Sequence, residues 1–128
     1  MSARARIGGA LLALLVVAAG ATSCTPPPVA VVHVIDDEAR SPQLDPAVLT
    51  VQAGTEVRWR NNGAYTHVIA VIEDADGIPA VPGGAQAFNS GPLRPGETFA
   101  VTLDVPGTYV YQGAESSVSV ATVEVIAP

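Results

Sequence analysis

From residue 29 onward the chain alternates short β-rich runs with clusters of glycine, proline and asparagine. Runs at 29–35, 48–52, 56–60, 66–73, 85–89, 97–105, 108–112 and 119–126 are rich in valine, isoleucine, threonine and aromatic residues. Such runs, with turn signals between them, read as strands of a sandwich or barrel. In 97–105, Phe99, Val101 and Leu103 fall on one face, and Thr98, Ala100, Thr102 and Asp104 on the other. In 66–73 both faces are apolar beyond His67, with Val68, Ala70 and Ile72 opposite Ile69 and Val71. That pattern predicts a central strand. Asn61-Asn62-Gly63 is a strong turn signal. Residues 74–84 hold two glycine- and proline-containing clusters without periodicity and read as a long loop. No helical period and no internal repeat follows the N-terminal segment, so the expected class is all-β, with about seven to eight strands.

The N-terminus has a different pattern. Met1 to Arg6 is short and basic, and residues 7–20 are uncharged and largely apolar, with Leu11, Leu12, Leu14, Leu15, Val16 and Val17 at their centre. As a helix that stretch spans about 21 Å, short of a hydrocarbon core of about 30 Å. A basic start, a short apolar run and small residues after it describe a helical secretory signal peptide. Arg4 and Arg6 are separated by Ala5, so the twin-arginine pattern is absent. Ala21-Thr22-Ser23-Cys24 resembles the lipobox of bacterial lipoproteins, with Ala21 where leucine is usual. The resemblance implies that Cys24 becomes the first residue and carries the lipid. Read otherwise, Cys24 is an odd free thiol left by cleavage nearby, unexplained in an exported chain. Thr25-Pro26-Pro27-Pro28 predicts a stiff extended stalk of about 3.1 Å per residue. The expected layout is a signal peptide over 1–23, a proline-rich tether over 24–29 and one domain over 30–127. The domain is then exported and lipid-anchored to the cell membrane through Cys24, on the extracytoplasmic face.

Charge narrows the partners. The chain has six basic residues, all arginine, and twelve carboxylates. Removal of Arg4 and Arg6 with the signal leaves four arginines against twelve carboxylates, a net charge of −8. Nucleic acid is excluded as a partner, because its affinity comes mostly from neutralised phosphates. Docking of a basic patch on anionic lipid is disfavoured for the same reason. A solubilising acidic surface is expected, or a docking face for a basic partner.

Several ordered pieces together resemble the cupredoxins, the family of plastocyanin and azurin. They are Leu44-Asp45-Pro46-Ala47-Val48-Leu49-Thr50-Val51, Ala53-Gly54-Thr55-Glu56-Val57 and Val57-Arg58-Trp59-Arg60-Asn61-Asn62 leading to His67-Val68-Ile69. Phe88-Asn89-Ser90-Gly91-Pro92-Leu93, Arg94-Pro95-Gly96-Glu97-Thr98-Phe99 and Pro106-Gly107-Thr108-Tyr109-Val110-Tyr111 follow. The resemblance implies a Greek-key β-sandwich. Independently of it, Pro95-Gly96 and Pro106-Gly107 predict tight turns, and Trp59, Phe88, Phe99 and Tyr109 are expected to fill the core.

A blue-copper site needs two imidazoles, a thiolate and a weak axial ligand such as methionine. The resemblance places His67 at the first histidine position, Gln112 at the cysteine position, Glu115 (or Ser116 or Ser117) at the second histidine position and Val118 at the methionine position. The chain has one cysteine, Cys24, and one methionine, Met1. No blue-copper centre is therefore expected, and no cofactor. A harder site of His67, Gln112 and Glu115 would suit Cu(II) or Zn(II) weakly. His33, in mid-strand, is expected to be structural or at the surface, and Asp36-Asp37-Glu38 to be a solvated loop rather than a calcium site. Neither a nucleophile elbow nor a phosphate-binding glycine loop occurs, so no enzyme and no catalytic residue is expected. The leading expectation is a cell-envelope lipoprotein with a degenerate cupredoxin-like domain. Its role is that of a non-redox binding or scaffold module with an envelope protein partner. The alternative is a copper- or zinc-binding carrier using His67 and non-thiolate ligands.

Overall fold

A half-buried strand turns every second side chain inward, and eight strands do so in the computed structural model, which describes residues 26–115 and 119–128. In chain order they are β1 (Val29–Asp36), β2 (Pro42–Asp45), β3 (Val48–Gln52), β4 (Thr55–Asn61), β5 (Ile69–Val71), β6 (Thr98–Leu103), β7 (Gly107–Gly113) and β8 (Val120–Ile126). They form two four-stranded sheets, β2-β1-β4-β6 and β3-β8-β7-β5. β1 runs parallel to β4 and β3 parallel to β8, while the other neighbours are antiparallel. The result is a Greek-key β-sandwich with no helix among the described residues. The segment over 1–23 expected to be a signal peptide, and Cys24, lie outside the described residues.

The inward rows meet between the sheets. Val32 and Val34 of β1, Val57 and Trp59 of β4, Ile69 and Val71 of β5, Tyr109 and Tyr111 of β7, and Val123 and Val125 of β8 are all buried. Trp59 is the centre of this core. Its ring lies 4.9 Å from Phe88, 5.7 Å from Phe99 and, edge-on, 5.4 Å from Tyr111. Such tilted and edge-on pairs are the favoured aromatic geometries. Two polar atoms in this cluster, Trp59 Nε1 and the Tyr111 hydroxyl, have no hydrogen-bond partner among the described residues. Burial pushes the Tyr111 phenol up to about 12, against an opposing effect of the nearby Trp59 indole.

Most of the expected strands are present, with three differences. β2 is additional: its Pro-Gln-Leu-Asp sequence carries no alternation long enough to signal a strand. Residues 85–89 form no strand, and Asn89 makes a single bridge to Ala70. The central strand expected at 66–73 is instead the three-residue β5, at the edge of its sheet. Its outer side is covered by the chain near residue 89, where Val71 N–H donates to the Phe88 carbonyl at 3.0 Å and Ser90 N–H to Ile69 at 2.8 Å. That irregular segment takes the place of a neighbouring strand along the β5 edge. The turn at Arg94-Pro95-Gly96-Glu97 is as the sequence predicts. Glu97 N–H donates to the Arg94 carbonyl at 2.9 Å, and Gly96 takes a φ of 87° that proline-glycine turns of type II require.

Trp59→Ala is expected to cost about 3–5 kcal/mol, because no neighbour can fill the indole's volume. Tyr111→Phe, which removes an unpaired buried hydroxyl, is expected to leave stability unchanged or raise it by up to about 1 kcal/mol. Urea unfolding of both variants checks this pair. A Tyr111→Phe loss as large as that of Trp59→Ala would mean that the hydroxyl is hydrogen-bonded after all.

Candidate functional site

At one end of the sandwich the inward rows stop being apolar. In β1 the row Val32, Val34 continues to Asp36, in β4 the row Val57, Trp59 continues to Asn61, and ahead of β5 the row Ile69, Val71 begins at His67. Polar groups there are buried and need partners. Asn61 is fully buried and has three: its Nδ2 donates to the carbonyls of Tyr65 and Leu93, each at 2.8 Å, and its Oδ1 accepts from Gly63 N–H at 2.9 Å. These bonds close the 61–65 turn and tie it to the chain at Leu93. His67 is held there by its backbone, which exchanges hydrogen bonds with Leu93 at 3.0 and 2.7 Å.

The His67 ring, 1% exposed, lies between two carboxylates. Nε2 faces Asp36 Oδ1 at 2.7 Å and Nδ1 faces Glu115 Oε1 at 2.8 Å. Each ring nitrogen is thus within hydrogen-bond distance of a carboxylate oxygen, with the donor on each side set by the tautomer. Each carboxylate has a second tie. Asp36 Oδ2 accepts from Ala64 N–H at 2.6 Å, and Glu115 Oε2 from Val68 N–H at 3.1 Å. Gly63 has to be glycine for this arrangement, because a Cβ there would overlap the Asp36 carboxylate. The Ala64 amide, and after it the His67 ring, hold the Asp36 carboxyl below its usual range, against a smaller opposing effect of burial.

The structure therefore brings together His67 and Glu115 of the expected set and leaves Gln112 out. Gln112 alternates with buried Tyr111 and Gly113, so its half-buried side chain lies on the other face of β7. The inward position is Gly113, and the direction of a Cβ there is filled by the Pro42 ring. Ser119 donates to the Pro42 carbonyl and holds that ring's strand in place. Ser116, Ser117 and Val118 lie outside the described residues. His33 is exposed in β1 and contacts Asn62 at 2.5 Å. Asp36 is not part of a solvated loop: it belongs to the site. Asp37 and the exposed Glu38 do lie in the turn, where Asp37 accepts from Ala39 and Ser41 N–H at 2.8 Å each. Sequence reasoning missed Asp36 and Asn61. The signal that marks them is parity, since each continues an apolar inward row by one polar step.

The model of the family described as copper binding proteins, plastocyanin/azurin family, matches residues 30–121, and the chain belongs to that family. It is 39% identical over 69 residues to a chloroplastic plastocyanin of Hordeum vulgare, a match that covers 51% of this chain and 41% of that one. The chain thus spans less than half the length of that relative. Among solved structures it resembles a purple cupredoxin from Nitrosopumilus maritimus, with a TM-score of 0.61, 28% identity and coverage of 76% of this chain and 99% of that one. A copper-containing nitrite reductase from Thermus scotoductus has the same fold over 82% of this chain and 24% of its own, with a TM-score of 0.60 at 24% identity.

The residues at the site do not fit the copper that the family implies. The described residues include no cysteine and no methionine, and no group of three His, Cys, Asp or Glu among them could hold a metal ion. The two carboxylates sit on opposite sides of one ring, so they cannot converge with it on a single ion. A metal at either ring nitrogen would have to displace the carboxylate that faces it.

Because the folded Asp36 carboxyl titrates below its ordinary value of about 3.9, its contribution is complete above that value and is lost as pH falls through the lower folded one. Asp36→Asn is expected to cost about 1–2 kcal/mol at pH 7 and to flatten the acid-side fall in unfolding free energy below about pH 5. Glu115→Gln, whose side chain is 39% exposed, is expected to cost less than about 1 kcal/mol. Denaturant unfolding from pH 7 to pH 2 measures both. An acid slope that Asp36→Asn leaves unchanged would count against the Asp36–His67–Ala64 contacts.

Proposed function

We propose that this chain is a cell-envelope lipoprotein, lipid-anchored through Cys24 on the extracytoplasmic face, whose cupredoxin-like domain is a non-redox binding or scaffold module rather than an electron carrier or an enzyme. The observation that carries this reading is the His67 ring, whose two nitrogens both face carboxylates. In this reading the family's ligand position has become a structural bridge. It ties the end of β1, the 61–67 turn and the end of β7 into one fixed surface. The surface around it is exposed and mixed in chemistry. Tyr65 is exposed with the Arg40 guanidinium 5.2 Å above its ring. A stacked arginine–tyrosine pair offers a partner both an apolar face and charge. The sequence pattern at 21–24 supports the anchor, and Pro26-Pro27-Pro28 would keep the domain near the membrane.

Titration of the full-length chain in detergent with Cu(II), Cu(I) and Zn(II), under chelator competition and with His67→Ala as the control, tests the non-redox reading. Weak, non-stoichiometric binding that His67→Ala leaves unchanged is expected, with no intense blue colour. Tight one-to-one binding that disappears in His67→Ala would overturn it in favour of an oxygen-rich metal carrier. The anchor is tested separately. Cys24→Ser is expected to abolish metabolic labelling with palmitate and to move the chain out of the membrane fraction, and persistent membrane association without label would refute lipidation at Cys24.

A further inference from the structure

The opposite end of the sandwich has an open seam. β6 is an edge strand, with β4 on one side and no strand on the other. The carbonyls of Glu97 and Leu103 point toward β4, where they accept from Asn61 N–H at 2.9 Å and Gly54 N–H at 2.8 Å. Backbone groups of an antiparallel strand alternate in direction, so those of Phe99 and Val101 also face β4, and those of Ala100 and Thr102 face outward. Across from them runs the chain at 84–88, which bonds to β5 through Phe88 on its far side. Among the described residues, no backbone hydrogen bond reaches Gln86 or Ala87. Between the two walls, residues 84–88 and 101–105, lies a cavity of about 300 Å³ with Tyr109 at its base.

Natural edge strands are commonly protected by charge, proline or cover. β6 reads Thr-Phe-Ala-Val-Thr-Leu and has neither charge nor proline. The outward amides and carbonyls of Ala100 and Thr102, which have no strand beside them, are complementary to one kind of ligand, another backbone in extended conformation. The floor of the cavity is apolar, formed by the buried Phe88, Leu103 and Tyr109. Asp104 is exposed at the mouth and has no ion-pair partner among the described residues.

We propose that this seam binds an extended peptide segment of a partner protein, which adds to the β6 edge. The segment places alternate apolar side chains on the Phe88–Leu103–Tyr109 floor and an arginine or lysine opposite Asp104. A second copy of this chain is a poor occupant. The β6 sequence offers no cation, and the chain's own charge of −6 opposes self-association. The proposal does not depend on the His67 end, which lies at the other end of β4: Asn61 is there, while Thr55 is paired with Leu103 here.

The test uses the full-length chain in non-ionic detergent and a fluorescein-labelled, end-capped hexapeptide of valine alternating with threonine and one arginine, read by polarisation. Saturable binding is expected, weakened about tenfold or more by Thr102→Pro, which deletes an outward amide but no β4 hydrogen bond. Asp104→Asn is expected to weaken binding and reduce its salt dependence, while Asp45→Asn, at an exposed carboxylate on β2 at the opposite edge of the sheet, leaves it unchanged. A backbone N-methylated peptide of the same sequence is expected not to bind. It tests the unaltered protein should Thr102→Pro fail to fold, and it separates strand addition from simple charge attraction. Absence of saturable binding would overturn the proposal, as would equal binding of the methylated peptide. Sedimentation showing that the chain dimerises through this edge, with Thr102→Pro restoring the monomer, would also overturn it.

Discussion

The molecule depends on one constraint: two sheets must each present every second side chain to a shared interior. Trp59 sits at the centre of that interior, fully buried against Phe88, Phe99 and Tyr111. Once that row is buried, the register of β4 against β1 and β6 is fixed, because a slip of one residue would turn Trp59 outward and Arg58 and Arg60 inward. The same two-residue step then carries each row beyond the aromatic core to the end of the sandwich, where turns must close and backbone groups need partners.

The polar site follows from those row ends. Asn61 is the next inward residue after Trp59, and its three hydrogen bonds supply partners for backbone groups of the 61–65 turn and of Leu93. His67 and Asp36 arrive by the same rule on neighbouring strands, and Glu115 completes the set from the end of β7. A buried ring with a carboxylate at each nitrogen is a stable arrangement only because both carboxylates also accept backbone N–H bonds. The family's fold is thus retained while the ring at its site is engaged in holding three chain segments together.

The two ends of the sandwich differ in what they leave unsatisfied. At the His67 end the described polar groups are paired, and the exposed chemistry is side-chain chemistry, centred on Tyr65 and Arg40. At the other end the side chains are mostly apolar, and the unpaired groups belong to the backbone of β6 and of residues 86–87. One end suits recognition by shape and charge, the other recognition by strand pairing. An acidic chain without lysine favours cationic partners at either.

The sequence by itself determined the all-β class, most of the strands, the aromatic core, the Pro95-Gly96 turn and the lack of any thiolate or thioether within the domain. All of these follow from local period, turn chemistry and composition. Tertiary structure decided the rest. His67 and Glu115 were legible as a pair only through the family resemblance. Asp36 was read as a solvated loop, because its role depends on β1 lying beside β4 and the 61–65 turn. Gln112 looked like a ligand until the alternation Tyr111, Gln112, Gly113 turned it to the outer face, with Pro42 filling the inner position. The edge status of β5 and the open side of β6 were likewise invisible in the sequence. The physical reason is the same in each case. Parity along a strand is set by adjacent residues, but which rows meet, and which edge is left without a neighbour, is set by pairings between segments tens of residues apart.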